Sequence, residues 1–382
     1  MSIDLLRNIA DQIQVGQPLP FSVRNEQGYL LLAKGRVVDT ESQRQLLVSR
    51  GLYVDHDDSP VTEVPSELPA AAPEAGAATR RTTLFDLWKQ TTARLDLLLG
   101  SLGQAGFAAR CDTFAVQAQP ALVERDPDIG IYNSVRQDPS RLSLYGLAHA
   151  LHCAMVGQLA ARRVGWPAER VRTLVRAALT MNLSIVELQG RFATQGRLDD
   201  YQRGLIRAHP EAAVERLRAA GVDDADWLQA VLEHHEQAGG LGYPAKLDSP
   251  CALAQALRMA DVFMAKISPR TERPPLSVLD AARQLFAEHP GNPMAAAIIK
   301  EYGIYPPGSF VQLASGEVAV VIRRGATAHT PVAAAVTDRK GLPVTRTTPR
   351  NTAEAEFAIR SLVPDSRQML RIPPERLYGL AE

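Results

Sequence analysis

The chain has 382 residues, 46% of them hydrophobic and 22% charged, and its 42 basic residues equal its 42 acidic ones. This length allows a large core with one or two small appended units, and a formal net charge of zero gives no electrostatic support to a nucleic-acid or membrane-surface partner. Cys111, Cys153 and Cys251 lie far apart without paired spacing, so neither a disulfide framework nor a thiolate zinc motif is suggested and a reducing compartment fits best. The opening MSIDLLRNIADQIQ is too polar for a signal peptide, and no run of about eighteen apolar residues exists to span a bilayer. The expectation is a cytoplasmic protein.

Residues 1–55 read as a small αβ module. A helical start (Leu5, Leu6, Ile9, Ile13) precedes two strand-like runs that flank the hairpin connection Asn25–Gly28, and TESQRQLLVSRG then predicts a helix before a final strand. Residues 56–82, rich in Pro and Ala and without a periodic apolar face, read as a linker, because they bury too little to offset their ordering entropy.

Residues 83–300 read as a body of consecutive helices. Apolar periodicity predicts a long helix from Thr83 to Arg110 and a second over Cys111–Arg125. Pro127 and Pro139 then mark 126–140 as a loop. Further helices are expected over Leu142–Arg163, Arg170–Gln189, both sides of His209-Pro210, from Asp223 to the paired histidines, over Ala252–Lys266 and over Val278–Glu288. The first long helix either packs on its own core or pairs two subunits as a homodimer. From Tyr302 the pattern turns to strands, two of them joined at Ala314–Gly316, which makes residues 301–382 a small β appendage. Residues 350–382 carry too weak a pattern to read.

Metal-ligating side chains recur on this body: His149, His152, His209, His234, His235, Glu236 and Asp261. Bundles build metal sites from facing helices in this way, although a lone buried histidine is more often a satisfied core residue, and His152 is read so. His234-His235-Glu236 ends an apolar-periodic run and meets a Gly-rich turn, Gly239-Gly240-Leu241-Gly242-Tyr243-Pro244. Such a turn can hold a fixed shape beside a pocket.

Written HHEQAGGLGYP, residues 234–244 resemble the signature of the HD-GYP family, a branch of the HD superfamily of metal-dependent phosphohydrolases whose members hydrolyse cyclic di-GMP. The family pattern, HHE-x-x-D-G-x-G-Y-P, departs here at Gly239, where an Asp is expected. Carried over by motif, His149 matches the His of the first bundle helix. His209 matches the His of a KHPE motif with Ala208 in place of the Lys, His234 and His235 match the paired ligands, and Asp261 in RMADVFMA matches the Asp of ADVYDA. Arg270 and Arg273 fall where the family has R-P-Y-R, and Tyr145 stands where some members carry a Glu for a third metal. The resemblance covers residues 140–275 well and the flanks loosely.

The defining dyad is missing. Where the family reads LLHDIGK, Met181 stands at the His and Asn182 at the Asp, so no catalytic residue is assigned. In the family that Asp bridges the metals, and a neutral amide leaves the repulsion of two cations about 3.5–4 Å apart less compensated. The resemblance therefore implies an HD-type all-helical bundle in a mainly α protein, with a divalent metal (iron or manganese) weakly held or absent. It implies a degenerate member of cyclic di-GMP signalling that binds the nucleotide or a signalling protein such as a diguanylate cyclase. The alternative is a phosphodiesterase with a remodelled site, in which one metal on His209, His234, His235 and Asp261 activates water. A scaffold that binds no nucleotide is a third reading. Gly240, Gly242, Tyr243 and Pro244 either shape the ligand or partner surface or form merely a turn, and Arg270 and Arg273 either hold a phosphate or are solvated.

Overall fold

The computed structural model describes residues 3–5, 12–24, 30–32, 34–38, 44, 47, 48, 53–55, 82–364 and 372–380. Two compact units divide the chain, Met1–Leu87 and Trp88–Glu382. In the first, strands β1 (Ile3–Leu5), β2 (Ser22–Arg24), β3 (Leu30–Leu32) and β4 (Tyr53–Asp55) form an antiparallel sheet in the order β1-β4-β2-β3. Ile13, Leu19, Phe21, Val23, Val38 and Leu47 make its core. Leu5, expected to start a helix, instead lies in a strand, with Ile3–Leu5 paired to Tyr53–Asp55, so ladder bonds to a distant strand override local pattern there; residues 6–11 lie outside the described residues. The hairpin connection at 25–28 and most of the linker lie outside the described residues.

The second unit is built on helices α1 (Leu84–Gly100), α2 (Phe107–Gln117), α3 (Gln119–Arg125), α4 (Pro127–Val135), α5 (Tyr145–Val164) and α6 (Ala168–Thr180). It continues with α7 (Val186–Gln195), α8 (Asp200–Ala219), α9 (Ala225–Glu233), α10 (Ala252–Ile267), α11 (Val278–Glu288) and α12 (Pro293–Tyr302). Helix α5 is its axis. Almost all of its length is buried, and small residues such as Ala150, Ala154, Gly157 and Ala161 let its neighbours approach closely. A Cβ at Gly157 would sit 3.2 Å from Leu174 of α6. None of the described helices is long and apolar enough to cross a membrane.

Two expectations fail in instructive ways. The loop expected over 126–140 holds helix α4, because Pro127 occupies its first position rather than breaking it. Asp126 caps that helix by accepting from the backbone N–H of Asp128 and Ile129. The helix expected over Arg170–Gln189 is two helices, parted at Met181–Ile185. There the N–H of Leu183 reaches back only to Thr180 and that of Ile185 only to Asn182. Helix α7 is thereby turned onto the segment before α5, so closely that a Cβ at Gly190 would lie 2.3 Å from the Ser143 carbonyl. Packing, not propensity, sets the break.

Beyond α12 comes an antiparallel sheet in the order β8-β7-β6-β5-β9, made of β5 (Phe310–Leu313), β6 (Val318–Arg323), β7 (Val332–Thr337), β8 (Pro343–Asn351) and β9 (Ile359–Leu362). Val311, Leu313, Ala319, Val321 and Ala333 are its core. Charge ties it to the helices: Arg324 bridges Asp128 and Glu301, Glu301 also receives Arg163, and Arg323 meets Asp126.

Candidate metal centre

His209 lies inside helix α8 and is followed by Pro210. Proline has no N–H, so the Ile206 carbonyl four residues earlier loses its helical donor. The His209 ring takes that carbonyl, with Nδ1–H donating to Ile206 O at 2.5 Å. His234 caps the end of α9, where the last carbonyls of a helix also lack intrahelical donors. Its Nδ1–H donates to Val231 O at 2.6 Å. A carbonyl can only accept, so both neutral rings carry their proton on Nδ1 and present a bare Nε2. Those two Nε2 atoms face each other 3.0 Å apart.

His235 completes the group, with its ring 4.9 Å from that of His209 and 4.2 Å from that of His234. Burial lowers the pKa of all three imidazoles, and their mutual proximity adds to the effect on His209 and His234; His209 falls to about 4. Two bare nitrogen lone pairs in contact, in rings that resist protonation, call for a cation. At zinc–nitrogen lengths of about 2.0–2.1 Å, tetrahedral ligand atoms lie about 3.3 Å apart, so the two rings need part by only about 0.3 Å to admit a divalent ion. The carbonyls behind His209 and His234 are the outer hydrogen bonds that commonly orient a metal-bound imidazole.

A second group stands beside the first. His149 on α5 donates Nε2–H to Asp261 Oδ1 of α10 at 2.7 Å, and Cys153, one turn along α5, brings its sulfur 3.5 Å from the same nitrogen. Burial raises the Asp261 pKa, but the His149 bond and the neighbouring imidazoles outweigh it and hold the carboxyl well below its usual range. Burial and then Asp261 push the Cys153 thiol well up. Among the described residues, these two triads are the groups of His, Cys, Asp or Glu arranged to hold a metal.

Met181 and Asn182, at the exit of α6, are buried and offer only a thioether and an amide. His152 is buried with an unpartnered Nδ1, and burial beside His149 lowers it to about 3. Glu236 is a loop anchor. Its buried carboxylate accepts from the N–H of Ala245, Lys246 and Leu247 at 2.6, 3.0 and 3.0 Å, and so pins the turn to the helix that carries His234. A Cβ at Gly242 would lie 2.3 Å from the Gln237 nitrogen, so only glycine fits there. Tyr243, whose bond to Pro244 is cis, stacks on His235 with centroids 4.7 Å apart, and Gly240 takes a positive φ of 72° to bond its N–H to Leu247 O.

Arg270 is not freely solvated. It donates to the Tyr145 hydroxyl at 2.6 Å and lies over the rings of Tyr145 and Phe192, while Tyr145 stacks on His149. Arg273 pairs its backbone with Arg270 and reaches the Ala265 carbonyl. Two residues were missed by sequence reasoning, Cys153 and Pro210. The spacing His149–Cys153, four apart on one helix, and a proline inside a helical pattern were the available signals.

No family model matches the chain. Its sequence is 30% identical over 178 residues to a cyclic di-GMP phosphodiesterase of Pseudomonas aeruginosa, covering 45% of this chain and 42% of that protein. It is 28% identical over 115 residues to a cyclic di-GMP phosphodiesterase of Vibrio cholerae, covering 28% of this chain and 23% of that protein. The matches thus span less than half the length of either relative. A solved HDG"Y"P protein from Bdellovibrio bacteriovorus superposes with a TM-score of 0.45 at 14% identity, over 76% of this chain and 96% of that one.

Proposed function

We propose, from the HHEQAGGLGYP segment and the likeness to two cyclic di-GMP phosphodiesterases, that the chain is an HD-GYP protein serving cyclic di-GMP signalling as a binding protein whose hydrolytic centre has degenerated. The observation that carries this reading is the charge of the centre. Across both triads Asp261 is the one carboxylate, and it is already bonded to His149. Two dications need more anionic compensation than one carboxylate supplies, and the α6 exit carries the neutral Met181 and Asn182 at the positions that match the family's His and bridging Asp. The centre therefore suits one ion, on His209, His234 and His235, better than a pair.

When bound, such an ion would supply positive charge for a phosphate oxygen and a site for water. The chain's own residues give the rest of a nucleotide site. Arg270, which lies over the rings of Tyr145 and Phe192, would turn guanidinium N–H groups to a phosphate. Tyr243, fixed against His235 by the Gly240–Pro244 turn, offers a ring face beside the centre. A protein partner such as a diguanylate cyclase would use the same rim.

The intact His209–His234–His235 triad favours one alternative, a phosphodiesterase working from a single ion. Metal analysis of the purified chain, with cyclic di-GMP binding and hydrolysis measured in added manganese or iron, separates the two. The proposal expects at most one manganese or iron ion per chain, binding without turnover, and binding weakened about tenfold or more by R270A. Two manganese or iron ions per chain with turnover abolished by H234A would refute it.

A further inference from the structure

We infer that His149, Cys153 and Asp261 form a thiolate-bearing cation site that selects zinc over the harder ions of phosphoester hydrolysis. Three observations carry it. The first is placement: His149 and Cys153 lie four apart on α5 and therefore on one face, and Asp261 meets them from α10. The second is burial, since the three side chains are 2%, 0% and 9% exposed, so solvent does not compete for their donor atoms.

The third is distance. A tetrahedral zinc ion with bonds of about 2.3 Å to sulfur and about 2.0 Å to nitrogen holds those atoms about 3.5 Å apart, and Cys153 Sγ lies 3.5 Å from His149 Nε2. The carboxylate needs a small adjustment. Nitrogen and oxygen on such an ion stand about 3.3 Å apart, against 2.7 Å in the present hydrogen bond, so Asp261 must withdraw by about 0.6 Å to admit the ion. The ring proton of His149 moves to Nδ1, which is buried and has no other partner, and the Cys153 thiol releases its proton to solvent as the sulfur binds.

Donor chemistry then sets the metal. A thiolate beside an imidazole and a carboxylate is a borderline-soft set that suits zinc, whereas iron(II) and manganese in hydrolytic centres take oxygen and nitrogen. A hydrolytic ion set would be the wrong occupant here, so the thiolate deepens the proposed loss of hydrolysis. The inference rests on the reading of this region as cation-binding but is separable from the three-histidine triad, which contains no sulfur.

Cobalt(II) titration of the chelator-stripped full chain tests it, because a cobalt–thiolate bond gives a near-ultraviolet charge-transfer band that histidine and carboxylate ligands do not. The band is expected in the wild type and in H234A and is expected to vanish in C153S, with zinc affinity falling about tenfold or more. Visible cobalt absorption that survives in C153S reports the histidine triad. If C153S does not fold, C153A, which buries no hydroxyl, takes its place, with circular dichroism as the check. Cobalt uptake by the wild type without the band, or a band that persists in the Cys153 variant, overturns the inference and leaves the histidine reading standing. No cobalt uptake by any form overturns both.

Discussion

Pro210→Ala separates the stability of helix α8 from the function of its histidine, and the two should move in opposite directions. Alanine is about 3 kcal/mol more favourable than proline inside a helix. Pro210 is buried, so the substitution also removes two packed methylene-sized groups, at about 0.8 kcal/mol each. The net expectation is a metal-free chain about 1 kcal/mol more stable. The new N–H of residue 210 competes for the Ile206 carbonyl that now fixes the His209 ring and releases the imidazole to either tautomer. Loss of such an outer bond typically weakens a metal site by 10–100-fold, or about 1.4 kcal/mol at the lower bound. Denaturation can be followed by tryptophan fluorescence, since Trp88, Trp166 and Trp227 all lie in the Trp88–Glu382 unit. Zinc competition with a chelator gives the affinity, and the nitrogen spectrum of the His209 ring gives the tautomer without metal. Unchanged affinity with the Nδ1–H form retained would refute the idea that the missing backbone donor orients His209. A less stable metal-free protein would refute the helix arithmetic.

Glu236→Ala leaves three backbone N–H groups of the turn without their acceptor; bonds to a charged group are worth about 1.5–3 kcal/mol each and do not add fully, so a loss of about 3–5 kcal/mol is expected in urea unfolding. Glu236→Gln should lose about half as much, and a loss below about 1 kcal/mol for the alanine variant would show that the turn holds its shape unaided. The double variant M181H/N182D returns an imidazole and an anion to the α6 exit, and metal analysis should then find a higher manganese or iron content per chain than in the wild type. Unchanged metal content in a folded double variant would show that the surrounding side chains have moved away from the two-ion arrangement.

Much of the site was legible because its residues sit where local rules are strong. The apolar run before His234 ends at a helix exit, and the glycines after it mark a tight turn; both read directly from the sequence and both are present. The break at Met181–Ile185 was not legible, since nothing local stops a helix there and the turn exists to bring Gly190 against Ser143. Pro127 was misread because a proline that starts a helix and one that ends it look alike until the cap at Asp126 is weighed. Cys153 escaped notice because its partners are a histidine on its own helix and an aspartate 108 residues on, while cysteine spacing was compared only with other cysteines.

Glu236 bears most directly on whether a second anion can be recovered. It adjoins His235 in sequence, yet both its oxygens are held by the amides of Ala245, Lys246 and Leu247. To reach a metal it would have to abandon them, and the turn that stacks Tyr243 on His235 would lose its anchor. The same fixation that shapes the rim of the centre therefore prevents its charge from being rebuilt locally. A chain with this loop intact keeps a fixed turn beside the histidines whether or not an ion is bound there, so the shape of the rim and the charge of the centre can be varied separately by mutation.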